Sequence, residues 1–188
     1  MSQLNRHLRA DEKVLWSGKP TMIPFIFSSL VIIPFALIWL FFSIFIILSA
    51  FSMGPLGSSF VIFSLLFMLV GIGMIFSPIL FELLRYRNTE YMITDQRIIT
   101  QTGVIGLDTR FVDLSKIQEV YVTIGWMDKI YGTGSIIAVT AGFVPVGTSG
   151  LGGHLIRPAF KAVYQPYEVQ KMLQDAIKKA TIRREDKA

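Results

Sequence analysis

The residue types that most often carry chemistry are few and scattered in this chain. His7 and His154 are the only two histidines, and cysteine is absent, so the chain has neither thiol chemistry nor a disulfide. Asp108, Asp113 and Glu119 fall at strand ends or surface positions of the expected β region, with no spacing that pairs them for acid–base work. The sequence therefore predicts no catalytic residue, no metal site and no cofactor.

Signatures of nucleotide and hydrolase sites are missing as well. The chain contains no Gly-x-Ser-x-Gly and no Gly-Lys-Ser/Thr phosphate loop. The glycine-rich stretch Gly150–Gly153 lacks the strand-to-helix setting of a dinucleotide loop, so we interpret it as a flexible loop. The apolar segments hold no ionisable residue, which argues against a proton relay or an ion transporter.

Basic side chains are the remaining candidates for a binding role. The formal net charge of +5 suits a surface near anionic lipid, and the sequence has no basic run that would favour nucleic acid beyond Arg183 and Arg184. Each basic residue near such a surface contributes about 1 kcal/mol. The candidates for lipid or membrane-interface contact are Arg85, Tyr86, Arg87, Arg97, Arg110 and Lys116. The simpler interpretation is that the basic residues among them form a solvated face.

These candidates follow a stretch of 62 uncharged residues from Pro20 to Phe81. It contains two apolar runs, Met22–Phe51 and Phe60–Phe81, separated by eight residues. The second run, as a helix, spans roughly 33 Å, and a bilayer core is about 30 Å thick. We predict a transmembrane hairpin over residues 21–86, with helices at about 22–51 and 60–84. Two uncharged runs this long argue against a buried soluble hairpin.

Proline and small residues add detail to this hairpin. Pro34 lies inside the first run and is expected to kink its helix. Gly71, Gly73 and Ser77 thin out one side of the second helix and form a candidate helix–helix contact, although ordinary membrane-helix composition explains them equally well.

The short flanks of the hairpin predict its orientation. Arg6, Arg9, Lys13 and Lys19 precede it, Arg85 and Arg87 follow it, and the joint has no lysine or arginine. The positive-inside rule then places both termini in the cytoplasm of a protein that crosses the cell membrane twice.

The remaining chain reads as β structure followed by one helix. Residues 1–20 form a polar lead-in, in which Val14–Trp16 is either a short strand or an interfacial anchor, and we favour the strand. Residues 88–180 form the distal domain, and 181–188 a charged tail. Period-two alternation predicts strands at 89–94, 97–102, 107–112, 117–124 and 135–140, with a further candidate at 154–157. A short turn or helix occupies 126–131, and the closing helix begins at Pro166.

The closing helix carries one apolar stripe, made by Val169, Met172, Leu173, Ala176, Ile177 and Ala180. Residues 141–153 read as a loop with five glycines. Two architectures fit this pattern: an open barrel plugged by the helix, or a flat sheet with the helix on one face.

Several short motifs resemble the bacterial pleckstrin-homology-like domain family, in its membrane-anchored type. Glu90–Arg97 is similar to the Y-x-(I/L)-T-(D/N)-x-R opening of that family, and Val112–Val120, Tyr131–Gly134 and Pro166–Val169 continue the similarity in order. Asp11–Lys19 also resembles the lead-in of membrane-anchored members. The resemblance implies a split barrel of two antiparallel sheets capped by a C-terminal helix, and no enzyme activity. Phe143–Gly153 departs from the simpler hairpin that is usual here.

Two binding functions compete on this basis. The first is a membrane-anchored adaptor that binds a protein, or itself, through an exposed-looking apolar loop. Its partner-contact candidates are Phe143, Val144, Val146 and Leu151. The second is recognition of anionic lipid headgroups by the basic residues named above. An enzyme or transporter is the least favoured, because two helices per chain cannot enclose a path across the membrane unless the chain oligomerises.

Overall fold

The structure, a computed structural model, describes residues 3–27, 30–52, 54, 57–140 and 159–185. The chain forms two compact units: Ile26–Leu83 is one, and Met1–Phe25 with Leu84–Ala188 is the other. The first is helical, and the second contains two sheets and a long C-terminal helix. We describe each unit by itself.

The helical unit is an antiparallel pair of apolar helices, formed by α2 (Ile33–Phe51) and by α3 (Gly57–Arg87) up to Leu83. The short helix α1 (Met22–Phe27) comes before them in the chain, and most of it belongs to the other unit. Trp39 on α2 stacks on Phe67 of α3 with ring centroids 4.8 Å apart, and its indole Nε1 donates a 2.9 Å hydrogen bond to the Phe67 carbonyl. A Cβ at Gly71 would lie 2.7 Å from the Leu40 side chain, so this glycine permits the close approach of the helices.

The outward faces of α2 and α3 are apolar. Only 17% and 11% of the residues in their most apolar stretches are buried, whereas the core helix of a soluble protein would be mostly buried. Large exposed side chains include Phe41, Leu48, Phe51, Ile62, Leu69 and Phe76. The two helices suggest membrane association because so much apolar surface is unfavourable in water.

Two details of this helical unit differ from the sequence expectations. Pro34 lies in the first turn of α2, where its missing N–H has no helical partner, so it begins a helix and does not kink one. Of the small residues on α3, Gly71 packs against α2, but a Cβ at Gly73 would meet nothing within 4 Å and Ser77 is exposed. The predicted contact is correct at Gly71 alone.

The second unit has two antiparallel sheets. The bounds of its strands are β1 Val14–Gly18, β2 Glu90–Thr94, β3 Arg97–Thr102, β4 Asp108–Asp113, β5 Ile117–Thr123, β6 Thr133–Thr140 and β7 Ala159–Tyr164. Among the described residues, four strands pair in the order β1-β2-β3-β4 and three in the order β5-β6-β7, so of the two predicted alternatives the single flat sheet is excluded. The short helix α4 (Trp126–Tyr131) joins β5 to β6, and α5 (Pro166–Glu185) follows β7.

One hydrophobic core unites both sheets and α5. Tyr91, Ile93 and Ile98 contribute from the first sheet, Ile136, Phe160 and Val163 from the second, and Val169, Leu173 and Ala176 from α5. The period-two pattern of the strands and the helical stripe of α5 therefore converge on one interior. This arrangement agrees with the predicted PH-like class of antiparallel sheets and a C-terminal helix.

A smaller cluster covers the opposite face of the first sheet. Leu4, on a 3-10 turn at Gln3–His7, is fully buried with Met92 and Ile99, and Leu8 packs beside them. The first sheet is therefore covered on both faces, and β1 pairs antiparallel with β2. The lead-in thus belongs to the fold, as the preferred strand interpretation of Val14–Trp16 expects.

Other differences lie near the C-terminus. β7 was not predicted, and α5 continues to Glu185, whereas the sequence analysis assigned the residues from Thr181 onward to a charged tail. The strand candidate at 154–157 lies outside the described residues.

Candidate interaction surfaces

The short helix α4 is held rigidly at both ends. The Gly125 amide donates to Asp128 Oδ2 at 3.0 Å, and the Thr133 hydroxyl donates to Asp128 Oδ1 at 2.7 Å. Gly132 ends the helix with a φ of +63°, a conformation that favours glycine. The Asp128 carboxylate thus caps the start of α4 at Gly125 and links the helix to β6 at Thr133.

This rigid helix exposes large apolar side chains. Trp126 is 74% exposed and Ile130 is 69% exposed, and they lie one turn apart on the same face. Core residues would be covered, and a mobile loop would not hold these two in fixed register. Their exposure on an ordered helix is therefore typical of a binding surface.

Residues at the end of β7 and the start of α5 lie next to Gly132 and Gly134, which follow α4 in the chain. A Cβ at Gly132 would lie 3.8 Å from the Tyr164 ring, and the Gln165 amide donates to the Gly132 carbonyl at 3.2 Å. Gly134 lies between Ile124 and Pro166, 3.3 Å and 2.9 Å from where its Cβ would be. We use the term aromatic surface for Ile124, Trp126, Ile130, Tyr131, Tyr164 and Tyr167, all of which are exposed.

Composition makes the aromatic surface suited to binding. Trp and Tyr offer a large contact area with few rotatable bonds, and they are enriched where proteins bind one another. Sequence reasoning missed this surface. The available signal was the spacing of Trp126 and Ile130 in a short helix, with Tyr164 and Tyr167 around the start of α5.

A different arrangement surrounds Arg97, a predicted lipid-contact residue. Its side chain is 9% exposed, its Nε and Nη2 each donate to Glu12 at 2.8 Å, and Nη2 also donates to the His7 carbonyl at 2.8 Å. The guanidinium carbon lies 4.6 Å from the centroid of the Phe111 ring. Arg97 is therefore bound within the fold, and its burial argues against the predicted contact with lipid.

Glu12 is the matched partner that sequence reasoning overlooked. Its side chain is fully buried. Burial alone raises the pKa of Glu12, but hydrogen bonds from Arg97, the Arg9 amide and the Thr94 hydroxyl, with the Arg97 charge, outweigh it and lower the pKa from 4.5 to about 2. The Thr94 hydroxyl lies 2.8 Å from Glu12 Oε1 and from the Arg97 carbonyl, and its one proton serves either acceptor. We name Glu12, Thr94 and Arg97 the buried charge cluster.

Two further lipid-contact candidates form surface ion pairs. Arg110 Nη2 lies 2.8 Å from Asp108 Oδ2, and Lys116 Nζ lies 3.4 Å from Asp113 Oδ2. A carboxylate this close offsets much of the attraction of a cation for an anionic headgroup.

The other three candidates occupy the end of α3. Arg85 and Arg87 lie in its last turn, and the Tyr86 ring centroid lies 6.1 Å from that of Phe25. Arg87 is exposed, whereas Arg85 and Tyr86 are half-buried. The partner-contact candidates Phe143, Val144, Val146 and Leu151 lie outside the described residues.

A cleft of about 300 Å³ between β1, the β2–β3 turn and α5 mixes apolar residues with both signs of charge, and Arg183 Nη1 lies 3.6 Å from Asp95 Oδ2 across it. In the part of the chain that the structure describes, no group of three or more His, Cys, Asp or Glu could hold a metal ion.

Comparison with known proteins places the fold. The family described as bacterial PH domain matches residues 23–177. The crystal structure of a DUF1696 family protein with a pleckstrin-homology domain, from Shewanella loihica PV-4, is 13% identical, with a TM-score of 0.34 over 50% of this chain and 74% of that chain. No curated protein gives a significant match.

Proposed function

We propose a function from one premise: this chain belongs to the bacterial PH domain family, whose pattern covers residues 23–177. On that premise the protein is a membrane-anchored, non-catalytic interaction module. Its α2–α3 pair crosses the cell membrane twice, with both termini in the cytoplasm. Its PH-like unit binds another protein through the aromatic surface.

The apolar helices support the anchor. α2 and the 60–87 part of α3 are 19 and 28 residues long, and the most apolar stretch of each has a mean hydropathy of 2.5. Both helices are long enough to cross a bilayer of about 30 Å. The basic residues on both flanks, against none in the joint, support cytoplasmic termini.

The aromatic surface is the observation that carries the proposal. The hydrogen bonds of Asp128 order the short helix that carries Trp126 and Ile130, so binding through this helix requires little further ordering of its backbone. An exposed tryptophan on an ordered helix, in a surface that also contains exposed tyrosines, is typical of a protein–protein interface. The expected partner presents an apolar pocket, and a second copy of this chain is the first to test.

Site-specific photocrosslinking in native membranes tests this function. A photoreactive amino acid at Trp126 in the full chain is expected to capture a protein, and two differently tagged copies show whether that protein is a second copy. The same group at Ile182, on α5 and 49% exposed, is the matched control. Capture at both positions alike, or no protein at position 126, contradicts the proposal.

Recognition of anionic headgroups is the second candidate. Arg85 and Arg87 at the end of α3 favour it, whereas the ion pairs of Arg97, Arg110 and Lys116 weaken it. Native mass spectrometry of the full chain, released from micelles doped with phosphatidylglycerol or phosphatidylcholine, tests it. Selective retention of phosphatidylglycerol that falls in Arg87→Gln favours headgroup binding, and equal retention of both lipids excludes it.

A further inference from the structure

The order of strands fixes which connections share one end of the first sheet. β1, β2, β3 and β4 are sequential antiparallel neighbours, so the β1–β2 and β3–β4 connections lie at the same end. The β1–β2 connection is the one that contains both apolar helices. The β3–β4 turn therefore lies at the end of the sheet from which the chain departs into these helices and returns.

A direct contact joins this turn to the end of α3. Asn88, the residue after the last residue of α3, donates from its side-chain amide to the carbonyls of Gly103 and Val104, both at 3.3 Å. A Cβ at Gly103 would overlap the Gly106 carbonyl oxygen, so the turn is tight and needs glycine there. The turn is thus a fixed projection beside the helix terminus.

The turn exposes apolar side chains at its tip. Ile105 is 97% exposed and Leu107 is 54% exposed. Gly, Asn, Asp and other polar residues usually occupy such a turn. An isoleucine side chain exposed there is unfavourable, because its apolar surface stays in contact with water. Neither side chain belongs to the core clusters or to the aromatic surface.

We infer that the β3–β4 turn, Gly103–Leu107, inserts Ile105 into the interface of the same leaflet that holds the end of α3. The occupant of this surface is lipid, because Arg85 and Arg87 in the last turn of α3 match the headgroup layer that borders the acyl region. The tip gives the PH-like unit a second attachment to the membrane and limits its rotation about the helix end. This inference rests on the proposed membrane anchor.

Depth-dependent fluorescence quenching tests the insertion in the full chain. The sequence has no cysteine, so Ile105→Cys, Leu48→Cys and Ile130→Cys each give one labelling site. Each variant carries bimane in vesicles of phosphatidylcholine and phosphatidylglycerol, with or without lipids that bear a quencher near the headgroup. Leu48 on α2 reports on the anchor, and Ile130 on α4 is the matched exposed isoleucine on a different element.

The three labels separate the two ideas. Loss of most of the fluorescence at positions 48 and 105, with little loss at 130, supports insertion. An unquenched label at 105 beside a quenched label at 48 overturns the insertion and leaves the anchor intact. Equal quenching at 105 and 130 also overturns it, because the tip then has no preference for lipid. An unquenched label at 48 rejects the anchor itself.

Discussion

The buried charge cluster and the aromatic surface reverse the usual placement of side chains in opposite ways. Glu12 and Arg97 are charged and inside, whereas Trp126 and Ile130 are apolar and outside. Every charge in the first region is matched by several short hydrogen bonds, which makes it a structural fastening of the lead-in to the sheet. The second is rigid but uncovered, which makes it suited to contact with another molecule. The two regions therefore differ in role because the buried charges have their hydrogen-bond partners within the fold, whereas the exposed apolar side chains are not covered by any part of the chain that the structure describes.

Removal of one member of the buried charge cluster should produce the largest effect. Glu12→Ala leaves the Arg97 charge buried without its carboxylate, and we expect a loss of about 3–5 kcal/mol in the free energy of unfolding. Thermal unfolding of the full chain in micelles measures it. Glu12→Leu combined with Arg97→Met is the control, because an apolar pair should recover much of that loss. A Glu12→Ala variant as stable as the parent would show that the cluster does not fasten the lead-in.

Acid should weaken the same cluster reversibly. Because folding lowers the pKa of Glu12 from 4.5 to about 2, the unfolded chain binds the proton first as pH falls. The cluster contributes fully above about pH 5 and loses about 3 kcal/mol as pH drops through 4.5 towards 2. Denaturant unfolding at stepped pH measures this slope. Glu12→Gln should flatten it, and an unchanged slope in that variant would assign the acid sensitivity to other carboxylates.

Truncation of a side chain in the aromatic surface should leave stability almost unchanged and weaken partner binding. Trp126→Ala removes an exposed side chain, so we expect the free energy of unfolding to change by less than about 0.5 kcal/mol. Partner binding should weaken by about 2 kcal/mol, which is about thirtyfold. Affinity for the partner captured by crosslinking measures it, with Ile182→Ala as the exposed control. Loss of stability without loss of binding would mean that Trp126 is a structural residue.

Backbone strain in β7 gives the smallest expected effect. Ala162 has a φ of +53°, which costs a side-chain-bearing residue roughly 1 kcal/mol. The carbonyl of Ala162 accepts a 2.7 Å hydrogen bond from the Thr21 amide. Ala162→Gly should therefore raise the free energy of unfolding by up to about 1 kcal/mol and leave partner binding unchanged. Ala176→Gly, in the regular helix α5, should instead destabilise. If Ala162→Gly does not stabilise the protein, then the backbone at Ala162 is not strained.

Local sequence patterns were sufficient for much of the β region. β3 and α4 match their predicted bounds, and α5 begins at the predicted Pro166. β7 was missed because Pro158 and Pro166 border its apolar residues and two residues near its end, Ala162 and Gln165, have positive φ. Strand propensity does not describe a segment held by its bulged pairing with β6.

The candidate sites were harder to predict. Arg97 was predicted as a candidate lipid contact because nothing local links it to Glu12, 85 residues earlier. The pairs Met92–Ile93 and Ile98–Ile99 carried a signal that the first sheet is covered on both faces, since adjacent apolar residues in a strand point in opposite directions.

The sequence alone determined the long uncharged helices, the period-two strands and the closing amphipathic helix, because hydropathy and periodicity act over neighbouring residues. Only the tertiary structure decided which charges are buried together and which apolar side chains stay exposed. Those outcomes depend on contacts between segments far apart in the chain, such as Leu4 on Met92 and Tyr164 beside Gly132. The sequence does not show whether a charged residue is solvated or paired with a carboxylate, because that depends on which segments the fold brings together.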